Sequence, residues 1–564
     1  MNLNLKAKKQ NTYDAIVVGT GISGGWAAKE LTENGLNTLV LERGRMVRHV
    51  ADYPTATMEP WDLPRNDRIT PEEAKDYPVQ MRHGVRESTK HWWVKDVEQP
   101  YEEVKRFDWI RGYHVGGKSI MWGRQCLRFG PHDFEGYERD GFGIDWPIRY
   151  EDLAPWYDHT EEFVGISGQA EGLPQCPDGV FLPPFEMNCV EKHFREQILE
   201  KYDGRVLTMG RFANLTQPHK GRGACQYRNK CVRGCPYGAY FSSNASTLPA
   251  AEATGNMTLR PNSIVSEVIY DDSLGKATGV RVTDAETMEV TEYYADVIFV
   301  TAGCIASTMI LLNSRSDRFP DGLGNDSGEL GRNLMDHHFR VGARGRFEGF
   351  DDKYYFGRRP GSVHMPRYVN LGDDKRDYIR GFHYQGGASR QSWSRGIREL
   401  AIGEELKELV QTPGEWTLGF TSFGEMLPYH DNRMWLNFDK TDKWGMPIAV
   451  FDVELKDNEY KMREDMANHA AEMIEAAGGK DVTTYDNPGG PGLGIHECGT
   501  ARMGRDPETS VLNKWNQVHA VPNVFVTDGA SLTSSANQNP SLTYMALTAR
   551  AANYAAEELK KQNL

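Results

Sequence analysis

Near both ends of the chain, the pattern of apolar and polar positions predicts the same unit, a short apolar strand followed by a helix. Residues 14–18 form an apolar run, 22–34 have helical spacing, and 39–41 form a second apolar strand. Residues 295–300 and 523–527 repeat the pattern, each followed by a helix. Continuous apolar runs are typical of strands that are buried on both faces of a parallel sheet.

The central part of the chain has a different pattern. Four alternating stretches between 257 and 293, separated by turn residues, predict a meander of strands. Strand-like pieces at 382–384, 416–420, 434–438 and 448–453 then alternate with polar loops, before a helix at 458–477. This part predicts a second domain with a mainly antiparallel sheet, which offers one face to a ligand pocket.

The predicted fold is therefore an α/β, Rossmann-like dinucleotide-binding domain joined to an α+β substrate-binding domain. Both predicted domains are discontinuous along the chain. The first comprises 10–50, 105–130, 236–335 and 490–564, and the second comprises 51–104, 131–235 and 336–489, including lid and cysteine-loop insertions.

A glycine turn connects the first strand to the first helix. Gly19, Gly21 and Gly24 form GxGxxG, in which the glycines permit a tight turn, close approach of a diphosphate, and close packing of helix on strand. The helix N-terminus would hold the diphosphate. Glu42 ends the second strand, where an acidic side chain binds ribose hydroxyls and disfavours a 2′-phosphate. The sequence therefore predicts FAD or NAD rather than NADP.

Composition excludes several classes of protein. The chain has 564 residues and a net charge of −14, so nothing indicates a nucleic-acid partner. No apolar run approaches the ~20 residues that a membrane span needs. The first residues lack the apolar segment of a signal peptide, which predicts a cytoplasmic protein; export with a signal-bearing partner subunit is the alternative.

Motifs near the C-terminus carry a more specific resemblance. The segment HECGTARMG begins at His496, FVTDGA contains Asp528, and NPSLT begins at Asn539. Together with the first glycine turn, Gly116-Gly117 and Ala302-Gly303, the chain resembles the glucose–methanol–choline (GMC) family of FAD oxidoreductases. The DWP segment, the cysteine-rich stretch and GRNLMDH at 331–337 are similar to the branch of sugar dehydrogenases, glucoside 3-dehydrogenases and pyranose oxidases.

The resemblance implies oxidation of a secondary hydroxyl of a sugar or glycoside, with C3 of glucosides favoured. A flavin accepts the hydride, and electrons leave to a non-NAD acceptor such as a quinone, a cytochrome or a partner subunit. His496 matches the catalytic histidine, and a neutral imidazole suits a general base near pH 7. Asn539 matches the position that orients the substrate oxygen, although it could instead cap the last helix.

The resemblance also implies which residues bind FAD. Pro540 and Thr543 belong to the first turn of the last helix, whose free N–H groups would stabilise negative charge on a reduced flavin. Met121 stands before Trp122 where some relatives carry a flavin-linked histidine, and His114 is displaced from that position, so noncovalent FAD is predicted. The implied cofactor residues are Gly19, Gly21, Gly24, Glu42, Gly116, Gly117, Ser119, Val265, Ala302, Asp528, Gly529, Pro540 and Thr543.

Three of the eight cysteines form a cluster, Cys225, Cys231 and Cys235, followed by a proline. Cysteine thiolates at short loop spacing suit an iron–sulfur cluster, and three would hold [3Fe-4S]. Zinc with His219 as a fourth ligand is one alternative. Three thiols in a structural loop are the other.

Several other functions stay open at this stage. A pyranose-type oxidase using oxygen and a gluconate-type polyol dehydrogenase share the same machinery. A flavin-containing lyase would not show flavin reduction by its substrate. An intact His496 and Asn539 argue against a noncatalytic subunit, and the C-terminal pattern argues against a nicotinamide enzyme.

Overall fold

The computed structural model describes residues 11–353, 359–391, 401–412 and 414–564. Residues 1–10, on which much of the localisation prediction rests, lie outside the described residues. Within the described part of the chain, no helix is both long and apolar enough to cross a membrane.

The larger sheet has eight described strands, which include the first and the last described strand of the chain. Strand β1 (Thr12–Val18) pairs in parallel with β2 (Thr38–Leu41) on one side and with β10 (Val290–Val300) on the other. Strand β19 (Val521–Val526) pairs in parallel with β10, and β7 (Met257–Arg260) pairs in parallel with β2. The apolar strands predicted at 14–18, 39–41, 295–300 and 523–527 thus lie side by side.

The predicted meander is partly wrong. Strand β7 does not belong to it, because β7 pairs in parallel with β2. Strands β8 (Ser263–Asp271) and β9 (Lys276–Asp284) form an antiparallel hairpin that continues onto β10. The two stretches predicted at 288–293 and 295–300 are one long strand, whose first half is antiparallel to β9 and whose second half is parallel to β1.

A second sheet of six described strands lies in the central part of the chain. Its order is β17-β11-β14-β13-β12-β6, and all of its pairings are antiparallel. Two of the predicted pieces, 434–438 and 448–453, lie instead in a small separate sheet. The remaining strands are β3 (Glu102–Glu103), β4 (Ile166–Ser167), β5 (Phe181–Leu182), β6 (Thr208–Met209), β11 (Val341–Phe347), β12 (Val363–Met365), β13 (Phe382–Arg390), β14 (Trp416–Gly424), β15 (Arg433–Thr441), β16 (Pro447–Asp452), β17 (Lys480–Asp486) and β18 (Gln517–Val518).

Helices cover both sheets. The first helix follows the glycine turn and buries Trp26 and Leu31, while the last buries a run of alanines against the same apolar cluster. The described helices are α1 (Ile22–Glu33), α2 (Pro71–Ala74), α3 (Pro131–Phe134), α4 (Gly136–Asp140), α5 (Tyr150–Val164), α6 (Cys189–Lys201), α7 (Thr247–Ala253), α8 (Cys304–Asn313), α9 (Glu404–Gln411), α10 (Asp457–Ala476) and α11 (Ser541–Lys560).

The predicted fold class is confirmed: an α/β unit with a parallel core of strands accompanies a unit with an antiparallel sheet. Every strand of the eight-stranded sheet falls in the ranges predicted for the dinucleotide-binding domain, and every strand of the six-stranded sheet falls in those predicted for the substrate-binding domain. The domain boundaries themselves stay a prediction.

Candidate active site

A cavity of about 640 Å³ brings together residues from both sheets. Its walls include the first glycine turn from the eight-stranded sheet and Gln385 and Phe423 from the six-stranded sheet. Both predicted catalytic residues, His496 and Asn539, line it. The predicted cofactor residues that also line it are Gly19, Gly21, Glu42, Gly117, Ser119, Val265, Ala302, Asp528 and Gly529.

The glycines of the first turn have three different surroundings. Gly19 has φ +96°, a left-handed conformation that favours glycine. A Cβ on Gly24 would lie 2.0 Å from the Gly19 carbonyl oxygen, so the third glycine permits the helix to pack against the turn. A Cβ on Gly21 would meet nothing within 4 Å and would project beside the cavity. This open space fits a diphosphate held against the backbone.

Glu42 is buried at the end of β2. One carboxylate oxygen accepts hydrogen bonds from the backbone N–H and the hydroxyl of Thr20, and the other accepts from the N–H of Gly44 at 2.9 Å. Burial raises the pKa of Glu42. The carboxylate therefore holds the glycine turn in place, and because Glu42 also lines the cavity, its position fits a ribose.

A second glycine turn faces the first. Gly116 and Gly117 both have positive φ, and a Cβ on Gly117 would lie 3.3 Å from Cα of Gly21. The N–H of Gly116 donates to the Thr20 hydroxyl at 2.9 Å. Ser119 accepts from the N–H of Ser243 at 3.0 Å, which ties this turn to the segment just before α7.

The C-terminal strand and helix complete this end of the cavity. Asp528 accepts from the N–H of Gly303 at 2.9 Å and from the Ser307 hydroxyl, so it connects the ends of β19 and β10. Burial raises its pKa to about 6. The first turn of α11 contributes Ser541 and Tyr544 to the wall.

Four predicted cofactor residues do not line the cavity: Gly24, Gly116, Pro540 and Thr543. Gly24 packs against Gly19. The hydroxyl of Thr543 points to Tyr157, 2.8 Å away, because the helix turns that side chain toward the protein core. The role predicted for Pro540 and Thr543 rests on the backbone N–H groups of this first turn, and it stays a prediction.

His496 and Asn539 lie next to each other, as predicted. Asn539 Nδ2 is 3.4 Å from His496 Nε2. Gln385 donates to the side-chain oxygen of Asn539, which turns the Asn539 amide nitrogen toward His496. Asn537, two residues before Asn539, instead contacts His383 Nδ1 with its side-chain oxygen at 3.3 Å.

A second histidine, His337, contacts Nδ1 of His496, the ring nitrogen that does not face Asn539. His337 Nδ1 lies 2.8 Å from His496 Nδ1, and His337 Nε2 lies 2.8 Å from the carbonyl oxygen of Ala536. A carbonyl oxygen only accepts, so His337 carries its hydrogen on Nε2 and offers a lone pair at Nδ1. His496 then carries its hydrogen on Nδ1. Its Nε2 is left as an acceptor facing Asn539 and the cavity.

The backbone around His496 is held by Asp336. Its carboxylate accepts from the N–H groups of Gly492, Gly494 and His496, each at 2.8 to 2.9 Å. Burial, together with the nearby Glu497 charge, raises the pKa of Asp336 to about 7.

A network of amides forms the opposite wall. Gln385 uses one amide hydrogen on Asn539 and the other on His383 Nε2, 2.8 Å away. Its oxygen accepts from Gln125 at 2.9 Å. His383 must then carry its hydrogen on Nδ1, which faces the oxygen of Asn537.

The histidines of the site are neutral near pH 7. Burial lowers the pKa of His496 well below its ordinary value of 6.5, and the neighbouring His337, His383 and Lys118 lower it further. Burial also lowers the pKa of His337 to about 4 and that of His383 to about 3. A neutral imidazole with a free Nε2 can accept a proton from a hydroxyl group.

The three clustered cysteines line a separate cavity of about 260 Å³. Arg124 and Gly361 line both cavities, so the two are neighbours. Within the described ranges, however, no three His, Cys, Asp or Glu side chains converge as metal ligands. His219, proposed as a fourth zinc ligand, does not line this cavity, and its Nε2 contacts the carbonyl oxygen of Glu162 at 2.8 Å.

Met121 and His114 are the two residues that bear on a covalent link between the protein and the flavin. Met121 lines the large cavity, whereas His114 does not, and His114 Nδ1 contacts the Val115 carbonyl oxygen at 3.1 Å. Neither residue places a histidine at the position where some relatives carry the flavin-linked histidine.

Comparisons with known proteins show the family of the chain. Two family models, both described as GMC oxidoreductase, match residues 13–339 and 428–548. The chain is 30% identical to a 2-methyl-1,2-propanediol dehydrogenase from Mycolicibacterium austroafricanum, over 96% of this chain and 94% of that protein. It is 26% identical to the fructose dehydrogenase large subunit of Gluconobacter japonicus, over 97% and 98%. The structure of a formate oxidase from Aspergillus oryzae superposes with a TM-score of 0.58 at 15% identity, covering 98% of this chain and 99% of that one, which shows the shared fold.

Proposed function

The chain belongs to the GMC oxidoreductase family of flavoproteins that act on CH–OH groups, and from this premise we propose that it oxidises a secondary hydroxyl of a sugar or glycoside. We favour C3 of a glucoside and a keto sugar as product. The observation that carries the proposal is the free Nε2 of His496, held beside Asn539 in the cavity lined by the glycine turn.

FAD fits the glycine turns and Glu42, and when bound there it would accept a hydride from the carbon that bears the hydroxyl. His496 Nε2 takes the hydroxyl proton, since its hydrogen-bond partners leave that nitrogen without a hydrogen. The Asn539 amide nitrogen donates to the same substrate oxygen and keeps it within reach of His496. Removing the proton raises electron density at the carbon and so promotes loss of hydride.

The wall of the cavity supports a polyhydroxylated substrate. Gln125, Gln385 and Ser362 line the cavity with amide and hydroxyl groups near Asn539, and Trp93 and Phe423 line it with aromatic rings. Among these groups the side-chain oxygen of Gln125 has no hydrogen-bond partner in the protein, so it can accept from a hydroxyl of a sugar ring. The resemblance to a fructose dehydrogenase large subunit points to the same class of substrate. The resemblance to a diol dehydrogenase supports a small polyol as the second candidate.

The electron acceptor forms a further part of the proposal. We propose that the three cysteines of this loop would hold a [3Fe-4S] cluster, which would supply one-electron transfer between the flavin and the acceptor. The cavity beside the loop is lined by four basic side chains, and no acidic side chain of the described residues lines it, which suits an anionic cluster. The thiols would have to move to converge on iron. Those basic side chains are Arg124, Arg228, Lys230 and Arg359.

The proposal is tested by an anaerobic absorption spectrum of the FAD-loaded protein with methyl β-D-glucopyranoside. We expect bleaching of the flavin bands, and a ketone at C3 by carbon NMR of the product. Bleaching by 1,2-propanediol but by none of glucose, fructose, gluconate or the glucoside would overturn the sugar assignment. No bleaching by any alcohol would favour a lyase.

Two controls accompany that spectrum. His496→Asn should retain FAD but not bleach, whereas a half-buried histidine that does not line the cavity, His132, changed to Asn should leave bleaching unchanged. Iron and sulfide analysis of the same sample tests whether the cluster is present, and we expect about three irons per chain. Reoxidation by air rather than by a quinone or cytochrome c would favour the oxidase.

A further inference from the structure

We propose that His337 is a positioning residue that sets the tautomer of His496, so that the nitrogen facing the cavity is always the proton acceptor. The catalytic consequence rests on the proposed function. The tautomer itself follows from hydrogen bonds on the far side of His496.

His337 is held at both ring nitrogens. Its Nε2 donates to the Ala536 carbonyl oxygen and its Nδ1 meets His496 Nδ1, both at 2.8 Å. The two rings stand nearly perpendicular, at 88° with centroids 4.9 Å apart. His337 is buried, with 2% of its surface exposed, so water does not compete for these contacts.

The other tautomer of His496 conflicts with its surroundings twice. With its hydrogen on Nε2, His496 would place a lone pair against the lone pair of His337 at 2.8 Å. On its other side, the Nε2–H would face the Asn539 amide hydrogens, two donors toward each other. Gln385 prevents Asn539 from relieving this by turning over, because it donates to the Asn539 oxygen.

A neutral histidine has a specific advantage over a carboxylate as the hydrogen-bond partner of His496 Nδ1. After His496 accepts a proton, its Nδ1–H still donates to His337, so the orientation survives the reaction. A carboxylate there would attract the proton and raise the basicity of His496. The charged or titratable groups that face His496 are Lys118, His383 and His337, with Asp336 and Glu497 along the adjoining backbone.

The first test reads the tautomer without any substrate. Holoenzyme is prepared with ¹⁵N-histidine, and the His496 signals are identified as those lost in His496→Asn. We expect hydrogen on Nδ1 and a bare Nε2 in the unmodified protein. In His337→Leu, which has no acceptor, we expect the Nε2-protonated form or a mixture. Hydrogen on Nε2 in the unmodified protein overturns the inference.

The second test measures flavin reduction by methyl β-D-glucopyranoside in a stopped-flow instrument. His337→Leu should lower the limiting rate constant roughly 10- to 1,000-fold, within the range that a general base contributes, with the apparent substrate affinity nearly unchanged. His337→Asn keeps an oxygen acceptor near the Nδ1 position and should recover much of the rate. Its pH profile should keep the shape of the unmodified enzyme.

The matched control is His338→Leu. His338 is the next residue, is equally buried, and packs against Gly424 instead of His496. A loss in His338→Leu equal to that in His337→Leu would show a general packing effect and overturn the inference. If the glucoside does not reduce the flavin at all, the proposed function fails while the NMR measurement still decides the role of His337.

Discussion

Asp336 Oδ1 lies 2.9 Å from the backbone nitrogen of His496 and accepts its hydrogen. The next residue, His337, contacts the side chain of the same histidine. Two consecutive residues of the GRNLMDH motif therefore hold the backbone and the ring of His496, although they lie about 160 positions away in the chain.

Asp336→Asn should destabilise the protein by about 1–3 kcal/mol, since one of the three N–H groups around position 336 would face an amide nitrogen instead of an acceptor. Thermal unfolding of the holoenzyme measures the change. Asp52→Asn, at a largely exposed ion pair with Arg48, is the control and should change stability by less than about 1 kcal/mol. Equal effects of the two substitutions would contradict the role of Asp336.

Two glycines of the same turn should respond differently to alanine. Gly24→Ala places a methyl group 2.0 Å from the Gly19 carbonyl oxygen, so we expect loss of folded protein. In Gly21→Ala the methyl group meets no protein atom within 4 Å, so the fold should survive while FAD binds at least 10-fold more weakly. Circular dichroism and FAD titration separate the two outcomes. Unchanged FAD affinity in Gly21→Ala would place the diphosphate elsewhere.

The pKa that governs the loss of activity in acid should lie below 6.5, the ordinary pKa of an imidazole. Burial lowers the pKa of His496 below 6.5, and only the unprotonated ring accepts a proton. The rate constant for flavin reduction should therefore stay level as the pH falls through 6.5 and decline only at lower pH. Stopped-flow measurements from about pH 5 to 8 test this, with circular dichroism as the check on folding. A decline centred at 6.5 or above is the contrary result.

Gln385 should control the orientation of Asn539 rather than the acceptance of the proton. Gln385→Leu removes the donor to the Asn539 oxygen, so Asn539 can turn over and substrate binding should weaken roughly 10-fold, about 1.4 kcal/mol, with a smaller effect on the limiting rate. Substrate dependence of flavin reduction separates the two quantities. Ser389→Ala on the same strand, away from the cavity, is the control. A loss confined to the limiting rate would instead place Gln385 in the chemical step.

The parts of the site that the sequence alone predicts are those encoded in short motifs. The GxGxxG turn, Glu42 and the C-terminal motifs are short patterns whose geometry depends on neighbouring residues, and the structure brings most of them to one cavity. His337, His383 and Gln385 escaped prediction because their partners lie more than 150 residues away in the chain. The motif GRNLMDH contains His337, but from the sequence alone it indicates only a branch of the family. Thr543 faces Tyr157 for a similar reason, since the rotation of α11 depends on packing against α5.

Strand β10 lies between β1 and β19, so the central sheet joins the first and last segments of the polypeptide. During synthesis, β1 and β10 leave the ribosome long before β19 and the residues from His496 to Asn539 are made. The nascent chain therefore holds an incomplete sheet with one apolar edge exposed, a state prone to aggregation. Because Asp528, Gly529 and Asn539 line the cavity, its full lining exists only once this C-terminal segment has been made.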